Sequence, residues 1–230
     1  MTEREKMLSG ALYDPGDPEL ADARNACKAL CQQFNQLAYR DMEAACAALN
    51  QALPHAGQGF WMEPPFWCDY GWNLTAGKNL YMNHGCVVLD AGGVTFGDNV
   101  QVGPLCGFHT SGHPLDAEER ARGLEYAYPI RVGSGVWFGA GCQVMPGVTI
   151  GDGAVIAAGS VVTKDIPAGV LAAGVPCRPI RPLTEADRMP PESLRDGCRR
   201  PGNFLPGVGK PPGMCYHRGA AGKIFSAVMQ

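Results

Sequence analysis

Charged residues are scarce in this sequence, and two common signals are absent. Charged side chains make up 18% of the 230 residues, and a net charge of −3 gives no reason to expect nucleic acid or an anionic membrane as a partner. No apolar run approaches the length that spans a membrane. The N-terminal Met-Thr-Glu-Arg-Glu-Lys is not followed by the apolar segment of a signal peptide. We therefore expect a cytoplasmic protein without membrane contacts.

A Cys-x-x-Cys pair is also missing, although the chain has ten cysteines. Thiols stay reduced in the cytoplasm, so disulfides are not expected. Cys86, Cys106 and Cys142 fall where a six-residue repeat needs a small apolar side chain, which predicts a packing role for them. Cys215-Tyr216-His217 supplies only half of a metal site, so no metal ligands are predicted.

Residues 1–56 are predicted to form an N-terminal helical segment. Asp17 and Pro18 suit the N-cap and first position of a helix. Apolar residues then recur at spacings of three and four, as on one face of a helix: Leu20, Ala23, Cys27, Leu30, Cys31 and Phe34. A second helix is predicted from about residue 37 to 53, with Met42, Cys46, Leu49 and Leu53 on its apolar side, and Pro54 ends it.

Residues 57–183 are predicted to form the main domain. They begin with an aromatic-rich stretch, residues 57–72, which either covers the open end of the core or offers a platform for sugar rings. Six-residue units follow, most regular at Val132, Phe138, Val144, Ile150, Ile156 and Val162. A period of six excludes a helix and fits a parallel β-helix in which three units make one triangular coil. Gly and Asn are expected at the corners.

One segment, residues 107–129, interrupts the repeat and carries Gly112-His113-Pro114-Leu115. Long insertions on a rigid support are often functional, so we expect a protruding loop with a site at His113. After residue 183 the repeat stops. Residues 184–230 are rich in Pro and Gly and are predicted to be an irregular C-terminal extension, with Ile224, Phe225 and Val228 as residues that could dock.

Several motifs, in this order along the chain, resemble those of the maltose and galactoside O-acetyltransferases. The resemblance covers roughly residues 3–183, and the hexapeptide pattern alone would not be specific. The motifs are Cys68-Asp69-Tyr70-Gly71, Met82-Asn83, Leu89-Asp90, Gly112-His113-Pro114-Leu115, Arg120-x-x-Gly123-Leu124-Glu125, Pro129-Ile130, Val136-Trp137-Phe138-Gly139, the run from Pro146 to Asp152, the run from Val161 to Pro167, and Gly174-Val175-Pro176.

The resemblance implies a left-handed β-helix enzyme that uses acetyl-CoA as co-substrate and forms a homotrimer with active sites between subunits. His113 matches the general base. Asp14, Asp69, Asn83 and Asp90 match positions on the acceptor side. Ala91 stands where a galactoside-type acceptor carboxylate is expected, and the Leu-Asp-Ala order is closer to the maltose type. The coenzyme-binding positions implied are Ala140, Ala158, Thr163, Lys164, Arg178 and Arg181.

The chemistry of acetyl transfer supports the same role for His113. The acceptor hydroxyl must lose its proton as its oxygen attacks the thioester, and a neutral imidazole can take that proton at cytoplasmic pH. A carboxylate could hold the second ring nitrogen, and Glu125 is the candidate. Lys164, Arg178 and Arg181 supply positive charge suited to the phosphates of the coenzyme, or are ordinary solvated surface residues.

Two other functions remain open at this stage. His84, His109 and His113 could form the zinc site of a carbonic anhydrase built on the same kind of β-helix, in which adjacent subunits supply the three histidines. The anhydrase pair is spaced five residues apart, whereas His109 and His113 are four apart. A trimeric scaffold without catalysis would explain the repeat but not the insertion. The remaining histidines, His55 and His217, are expected to have no catalytic role.

Overall fold

A computed structural model describes residues 1–188. The boundary between two structural units falls after Leu183. The description of the second unit covers residues 184–188, where Glu185–Asp187 form a single 3-10 turn. The predictions made for Cys215, His217 and the apolar residues from Ile224 to Val228 lie outside the described residues. No helix within residues 1–188 is both long enough and apolar enough to cross a membrane.

Most of the first unit is a stack of three-sided coils. Its short strands, numbered in chain order, form three parallel ladders. The first face contains β1 (Trp61–Met62), β4 (Tyr81–Met82), β7 (Gln101–Val102), β12 (Trp137–Phe138), β15 (Val155–Ile156) and β17 (Val170–Gly174), with β18 (Cys177–Pro182) antiparallel at its edge. The second contains β2 (Trp67–Cys68), β5 (Val87–Leu89), β8 (Gly107–His109), β13 (Gln143–Val144) and β16 (Val161–Val162). The third contains β3 (Leu74–Ala76), β6 (Val94–Phe96), β11 (Ile130–Val132) and β14 (Thr149–Ile150).

The register of these ladders explains the six-residue period. Phe138 of β12 pairs with Val102 of β7 on one side and Ile156 of β15 on the other. In the later coils, each six-residue unit therefore lies directly above the unit three before it in the chain. The apolar residue of each strand points inward, and the stack is filled by rings such as Phe96, Phe108 and Phe138, which contact one another edge to face. The fold is the predicted left-handed parallel β-helix.

The predicted second inward position is also confirmed. Four residues after each strand residue, the chain places another small or apolar side chain in the core. These side chains are fully or almost fully buried: Val136, Cys142, Val148, Ala154, Ser160 and Ile166. Cys86, Cys106 and Cys142 are buried free thiols, as the packing interpretation expects.

Corners between strands take the left-handed backbone conformation that favours Gly and Asn. Gly141 and Gly159 have φ values of 71° and 73°, and Asn79 and Asn99 have 59° and 56°. Leu105, with φ 61°, is a corner that the sequence does not announce. Tight stacking matters as much as φ: a Cβ on Gly139 would lie 2.5 Å from the backbone nitrogen of Ala158 in the next coil.

Helices precede the coils. They are α1 (Glu3–Ser9), α2 (Pro18–Leu37) and α3 (Met42–Ala52). The predicted start of α2 is confirmed, because the Asp17 side chain accepts from the backbone N–H of Glu19 and Pro18 occupies the first turn. Helix α1 was not predicted, although Thr2 and Glu5 form a capping box that marks its start.

The prediction for α3 was wrong in its start and only partly right in its face, since Leu49 and Leu53 are buried. The helix begins at Met42, because Tyr39 adopts a left-handed φ of 65° in the turn after α2 and Asp41 caps the new helix. Its buried face consists of Ala45, Ala48, Leu49 and Ala52, whereas Met42 is exposed. The small alanine side chains allow α3 to pack closely against α2. The prediction had relied on the spacing of the larger apolar residues and overlooked the alanines.

The insertion is shorter and more ordered than predicted. Residues Gly107–His109 belong to the scaffold as β8, so the coil is left only after His109. The inserted chain then forms a two-stranded antiparallel ribbon, β9 (Ser111–Gly112) with β10 (Tyr126–Ala127). Between them lies a short helix, α4 (Ala117–Ala121), which Asp116 caps through the N–H groups of Glu118 and Glu119. The insertion is therefore a structured arm.

Candidate active site

A cavity of about 640 Å³ opens where the N-terminal segment, helix α2, the first coils and the inserted arm meet. Beneath it, a small apolar cluster separate from the main core joins the same segments, through Met7, Tyr13, Leu20, Tyr70, Ala91 and Ala127. The cavity walls contain Tyr13, Pro15, Gly16, Arg24, Lys28, Asp69, Tyr70, Leu89, Ala91, Ser111, Gly112, His113 and Glu125. Both predicted catalytic residues, His113 and Glu125, and one predicted acceptor-side residue, Asp69, thus meet here with residues that were not predicted.

His113 lies on the arm, directly after β9, and its side chain is 52% exposed. Its Nδ1 is 3.2 Å from the carbonyl oxygen of Leu124. A carbonyl oxygen can only accept, so this contact favours the tautomer protonated at Nδ1 and leaves the lone pair of Nε2 free. A base with its basic nitrogen free in a solvated cavity is suited to taking a proton from a bound hydroxyl.

The backbone around His113 is fixed from two directions. A Cβ on Gly112 would lie 2.6 Å from the hydroxyl oxygen of Tyr126, so a larger residue before the histidine would have to displace the Tyr126 ring. The Arg120 guanidinium donates to the carbonyl oxygens of Pro114 and Leu115, each at 3.0 Å. The Gly-His-Pro-Leu segment is therefore held by the helix and strand that follow it.

Glu125 lies on the other side of the imidazole. Its Oε1 is 3.8 Å from Nε2 of His113, which is beyond a hydrogen bond but within the distance of an ion pair. Its Oε2 accepts a hydrogen bond of 2.7 Å from the hydroxyl of Tyr13. The backbones of Tyr13 and Glu125 also exchange two hydrogen bonds, of 2.9 and 3.0 Å. Glu125 is thus anchored by the N-terminal segment, and Leu124 rather than Glu125 contacts Nδ1.

Tyr13 is almost entirely buried, and burial together with its bond to Glu125 raises the pKa of its hydroxyl well above the ordinary value. The phenol therefore stays protonated and donates to the carboxylate throughout the physiological range. Sequence reasoning missed Tyr13, because the partner with which it pairs is 112 residues away.

Two cations from α2 face the cavity. The Arg24 guanidinium donates to the hydroxyl of Tyr70 at 2.7 Å and to the carbonyl oxygen of Pro15 at 2.6 Å. Lys28 Nζ lies 3.1 Å from Oδ1 of Asp69. A spacing of four places Arg24 and Lys28 on one helix face, which was a signal available in the sequence. Asp69 lies in the wall, where the resemblance expects it.

Asp90 lies beneath the cavity and not in its wall. It is fully buried, and Oδ1 accepts from the backbone N–H of Tyr70 at 2.8 Å. Within residues 1–188, Oδ2 has no hydrogen-bond partner. Burial raises the pKa of this carboxyl to about 6. In this arrangement Asp90 supports the backbone at Tyr70, and its neighbours Leu89 and Ala91 line the cavity.

The other two acceptor-side residues lie apart from this cavity wall. Asp14 is exposed between wall residues Tyr13 and Pro15, and its Oδ1 accepts from the N–H of Gly16 at 2.7 Å. Asn83 lies after β4, and its Oδ1 accepts from the N–H of His84 at 2.7 Å. Asn83 is not part of the wall formed by a single chain.

The coenzyme-side positions lie along the corners of the last coils. Ala140 and Ala158 follow the paired strands β12 and β15, and both are exposed at stacked corners. Thr163 and Lys164 occupy the corner after β16. Arg178 and Arg181 lie on β18, where their side chains are exposed. None of the six lines the cavity of His113 within one chain.

The three histidines of the alternative zinc site do not assemble within one chain. Nδ1 of His84 lies 2.5 Å from the carbonyl oxygen of Pro64, and Nε2 of His109 lies 2.7 Å from Oε1 of Gln143. Among residues 1–188, the group of three or more potential metal ligands consists of cysteines instead: Cys27, Cys31 and Cys68.

Two family models match the chain. Residues 6–57 match the maltose acetyltransferase hexapeptide capping motif, and residues 129–164 match the six-repeat bacterial transferase hexapeptide. The chain is also 40% identical over 188 residues to the galactoside O-acetyltransferase of Escherichia coli K12, an alignment that covers 82% of this chain and 92% of that protein.

Solved structures agree with the sequence matches. A maltose O-acetyltransferase from Clostridium difficile 630 superposes with a TM-score of 0.78 at 43% identity, over 80% of this chain and 99% of that one. A galactoside acetyltransferase in complex with coenzyme A superposes with a TM-score of 0.79 at 39% identity, over 81% of this chain and 94% of that one. The similarity to both structures thus covers about four fifths of this chain.

Proposed function

The chain belongs to the maltose and galactoside family of hexapeptide-repeat O-acetyltransferases, and on that premise we propose that it transfers the acetyl group of acetyl-CoA to a hydroxyl of a sugar. The observation that carries the proposal is the placement of His113. Its imidazole lies in the cavity wall, is oriented through Nδ1 by the Leu124 carbonyl, and presents a free Nε2 beside Glu125.

The first step is proton removal. Nε2 of His113 takes the proton of the sugar hydroxyl while the oxygen forms a bond to the carbonyl carbon of the thioester. The tetrahedral intermediate then collapses, the carbon–sulfur bond breaks, and the imidazolium returns the proton to the departing thiolate. A positioned base of this kind contributes about 10²–10⁴-fold to the rate.

Glu125 stabilises the charged intermediate of this cycle. When Nε2 gains a proton, a negative charge 3.8 Å away lowers the energy of the imidazolium. The carboxylate stays in place because the Tyr13 hydroxyl and the backbone of Tyr13 both hold it. Glu125 therefore acts through His113 and is a positioning and charge-stabilising residue in this scheme.

Acetyl-CoA is proposed to bind along the corners of the later coils. Ala140 and Ala158 leave these corners without large side chains, so a long, thin molecule could lie against them. Lys164, Arg178 and Arg181 add three positive charges near the last coil, which suit the phosphates at one end of the coenzyme.

The distribution of these residues supports a shared active site. Within one chain, the cavity contains the base and Asp69 but neither Asn83 nor any coenzyme-side residue. We propose a homotrimer in which the corners of one chain face the cavity of the next. Each site then combines His113 from one subunit with coenzyme contacts from another.

The acceptor is proposed to be a maltose- or glucose-like sugar. The cavity wall offers a carboxylate at Asp69 and cations at Arg24 and Lys28, which can bind sugar hydroxyls as acceptors and donors. Ala91 supplies no carboxylate where a galactoside-type enzyme is expected to have one. The acceptor side is therefore less acidic than a galactoside-type wall would be.

A panel of acceptors tests the proposal directly. Purified full-length protein is incubated with acetyl-CoA and maltose, glucose, a galactoside, a cell-surface oligosaccharide or a non-sugar alcohol, and CoA release is measured. We expect the fastest release with maltose or glucose. Preference for the galactoside would overturn the acceptor assignment, and no acetyl-CoA binding at all would favour the non-catalytic scaffold.

A further inference from the structure

Three thiols meet in the core between helix α2 and the first coil. Cys27 and Cys31 are one helical turn apart on α2, and Cys68 lies on β2. Sγ of Cys68 is 3.4 Å from that of Cys27 and 3.7 Å from that of Cys31, and all three sulfurs lie within 4.8 Å of one another. Each side chain is at most 4% exposed.

These distances are close to those of a metal–thiolate site. With a metal–sulfur bond of about 2.3 Å, three sulfurs in a plane around one ion are about 4 Å apart. The two closest pairs would need to separate by only a few tenths of an ångström. Cys27 and Cys31 already share a rigid helix, so α2 and β2 need little rearrangement to bind an ion between them.

The number and chemical type of the ligands indicate which metal ion this cluster would bind. Among residues 1–188, no His, Asp or Glu joins the three cysteines to supply a fourth ligand. A structural zinc site takes four ligands in a tetrahedron, whereas soft thiolates alone suit Cu(I), which accepts three. We propose that Cys27, Cys31 and Cys68 form a buried Cu(I) site, separate from the acetyl-transfer cavity.

An access route reaches the cluster from outside. A cleft of about 230 Å³ lies between α2 and α3, and Cys27 is part of its wall together with Ala23, Leu30 and Ala52. Its wall is mainly apolar, and Gln51 and Tyr70 supply the side-chain oxygens in it. An ion entering here meets the Cys27 sulfur first, and each thiol that binds releases its proton to solvent.

The site would couple metal binding to the shape of the acetyl-transfer cavity. Cys68 is followed directly by Asp69 and Tyr70 of the cavity wall, and α2 also carries Arg24 and Lys28. A Cu(I) ion binds the folded arrangement of the three thiols and not the unfolded chain to the same extent, so it stabilises this junction.

The test is a competition for Cu(I) under reducing, anaerobic conditions. Full-length protein is titrated with Cu(I) against bicinchoninate, a chromogenic Cu(I) chelator, and X-ray absorption counts the sulfur neighbours. We expect one tightly held Cu(I) per chain with three sulfur neighbours. Cys31→Ala should weaken binding by at least about 10–100-fold. Cys46→Ala, which removes a lone half-buried thiol on α3, should not.

Two further variants separate loss of the metal ligand from loss of folding and from binding elsewhere in the chain. Cys27→Ser nearly preserves side-chain size and should lose the ion even if Cys31→Ala folds poorly. The double variant Cys198→Ala/Cys215→Ala removes the cysteines that lie outside the described residues and should retain it. Wild-type binding no stronger than that of Cys27→Ser, or fewer than three sulfur neighbours, would overturn the proposal and leave three packed core thiols.

Discussion

The coils and the cavity of this protein are built from contacts of different range. In the later coils, partners are 18 residues apart along the chain, as when Phe138 pairs with Ile156, and the same contact recurs at each level. In the cavity, Tyr13 and Glu125 meet across 112 residues, and their contact is not part of the repeat. Stability is therefore spread over many equivalent contacts, whereas the chemistry depends on a few unique ones.

This difference predicts where a substitution affects folding and where it affects catalysis. Substitution of an inward-facing coil residue should lower the free energy of unfolding, because its neighbours in the coils above and below lose packing. Substitution of a cavity residue should lower the rate of acetyl transfer and change stability less, because the cavity is open and solvent replaces part of the lost contact. Substitutions in the two regions test this separation, and the largest change in free energy is expected in the core.

Phe108→Ala should lower the free energy of unfolding by about 3–5 kcal/mol. Phe108 is fully buried, and its ring contacts Phe96 and Phe138 at centroid distances of 5.0 and 5.2 Å. Urea unfolding at a fixed protein concentration measures the loss. Glu119→Ala, on the exposed helix of the arm, is the control and should change stability by no more than about 0.5 kcal/mol. Equal losses in both variants would contradict the separation.

Asp90→Asn should remove a pH dependence of stability worth about 3 kcal/mol. Burial raises the pKa of Asp90 from 3.8 to about 6, so the folded state holds this proton more tightly than the unfolded state. The resulting stabilisation is complete below about pH 4. It is lost as the pH rises through the folded-state pKa of about 6.

The measurement is urea unfolding of wild type and Asp90→Asn from pH 4 to pH 8. Any constant cost of placing an amide in the core cancels in the change with pH. The stability of wild type relative to the variant should fall over this interval by about 3 kcal/mol. Parallel curves would mean that burial does not raise the pKa of Asp90 in the folded state.

Glu125→Gln should lower kcat by about tenfold, which is about 1.4 kcal/mol in the barrier. Glutamine keeps the shape and can still accept from the Tyr13 hydroxyl, but it lacks the charge that stabilises the imidazolium. Steady-state kinetics with the best acceptor of the panel provide the test, with KM for acetyl-CoA unchanged. An unchanged kcat would remove Glu125 from the mechanism.

Tyr13→Phe should have a smaller effect, about 1 kcal/mol, or a fivefold lower kcat. The carboxylate keeps its charge but loses the 2.7 Å hydrogen bond that orients it. The double variant Tyr13→Phe/Glu125→Gln should be hardly slower than Glu125→Gln alone, because the hydroxyl acts through the carboxylate. Fully additive losses would show that Tyr13 has a separate role.

Much of the coil architecture could be predicted because it rests on a local repeat. The inward positions from Val132 to Ile166 follow from a period of six, and packing confirms them. The position of His113 in an insertion could be predicted for the same reason, since it breaks that period.

What the sequence could not reveal depends on contacts between distant segments. The Leu124 carbonyl that orients His113 has no side-chain signature, and nothing near Tyr13 announces its pairing with Glu125. The spacing of Cys27 and Cys31 was visible, but only folding brings Cys68 to them. The ribbon and helix of the arm were not predicted, because these elements are short and their residues are mostly polar, so they show no apolar periodicity.

The rate of acetyl transfer by His113→Ala tests the role of His113 most directly. Initial rates of CoA release are measured with the preferred acceptor, together with the affinity for acetyl-CoA, and His109→Ala serves as the matched control. We predict a loss of about 10²–10⁴-fold for His113→Ala, with coenzyme affinity and assembly unchanged and His109→Ala near wild type. A His113→Ala enzyme that transfers acetyl at close to the wild-type rate would contradict the mechanism.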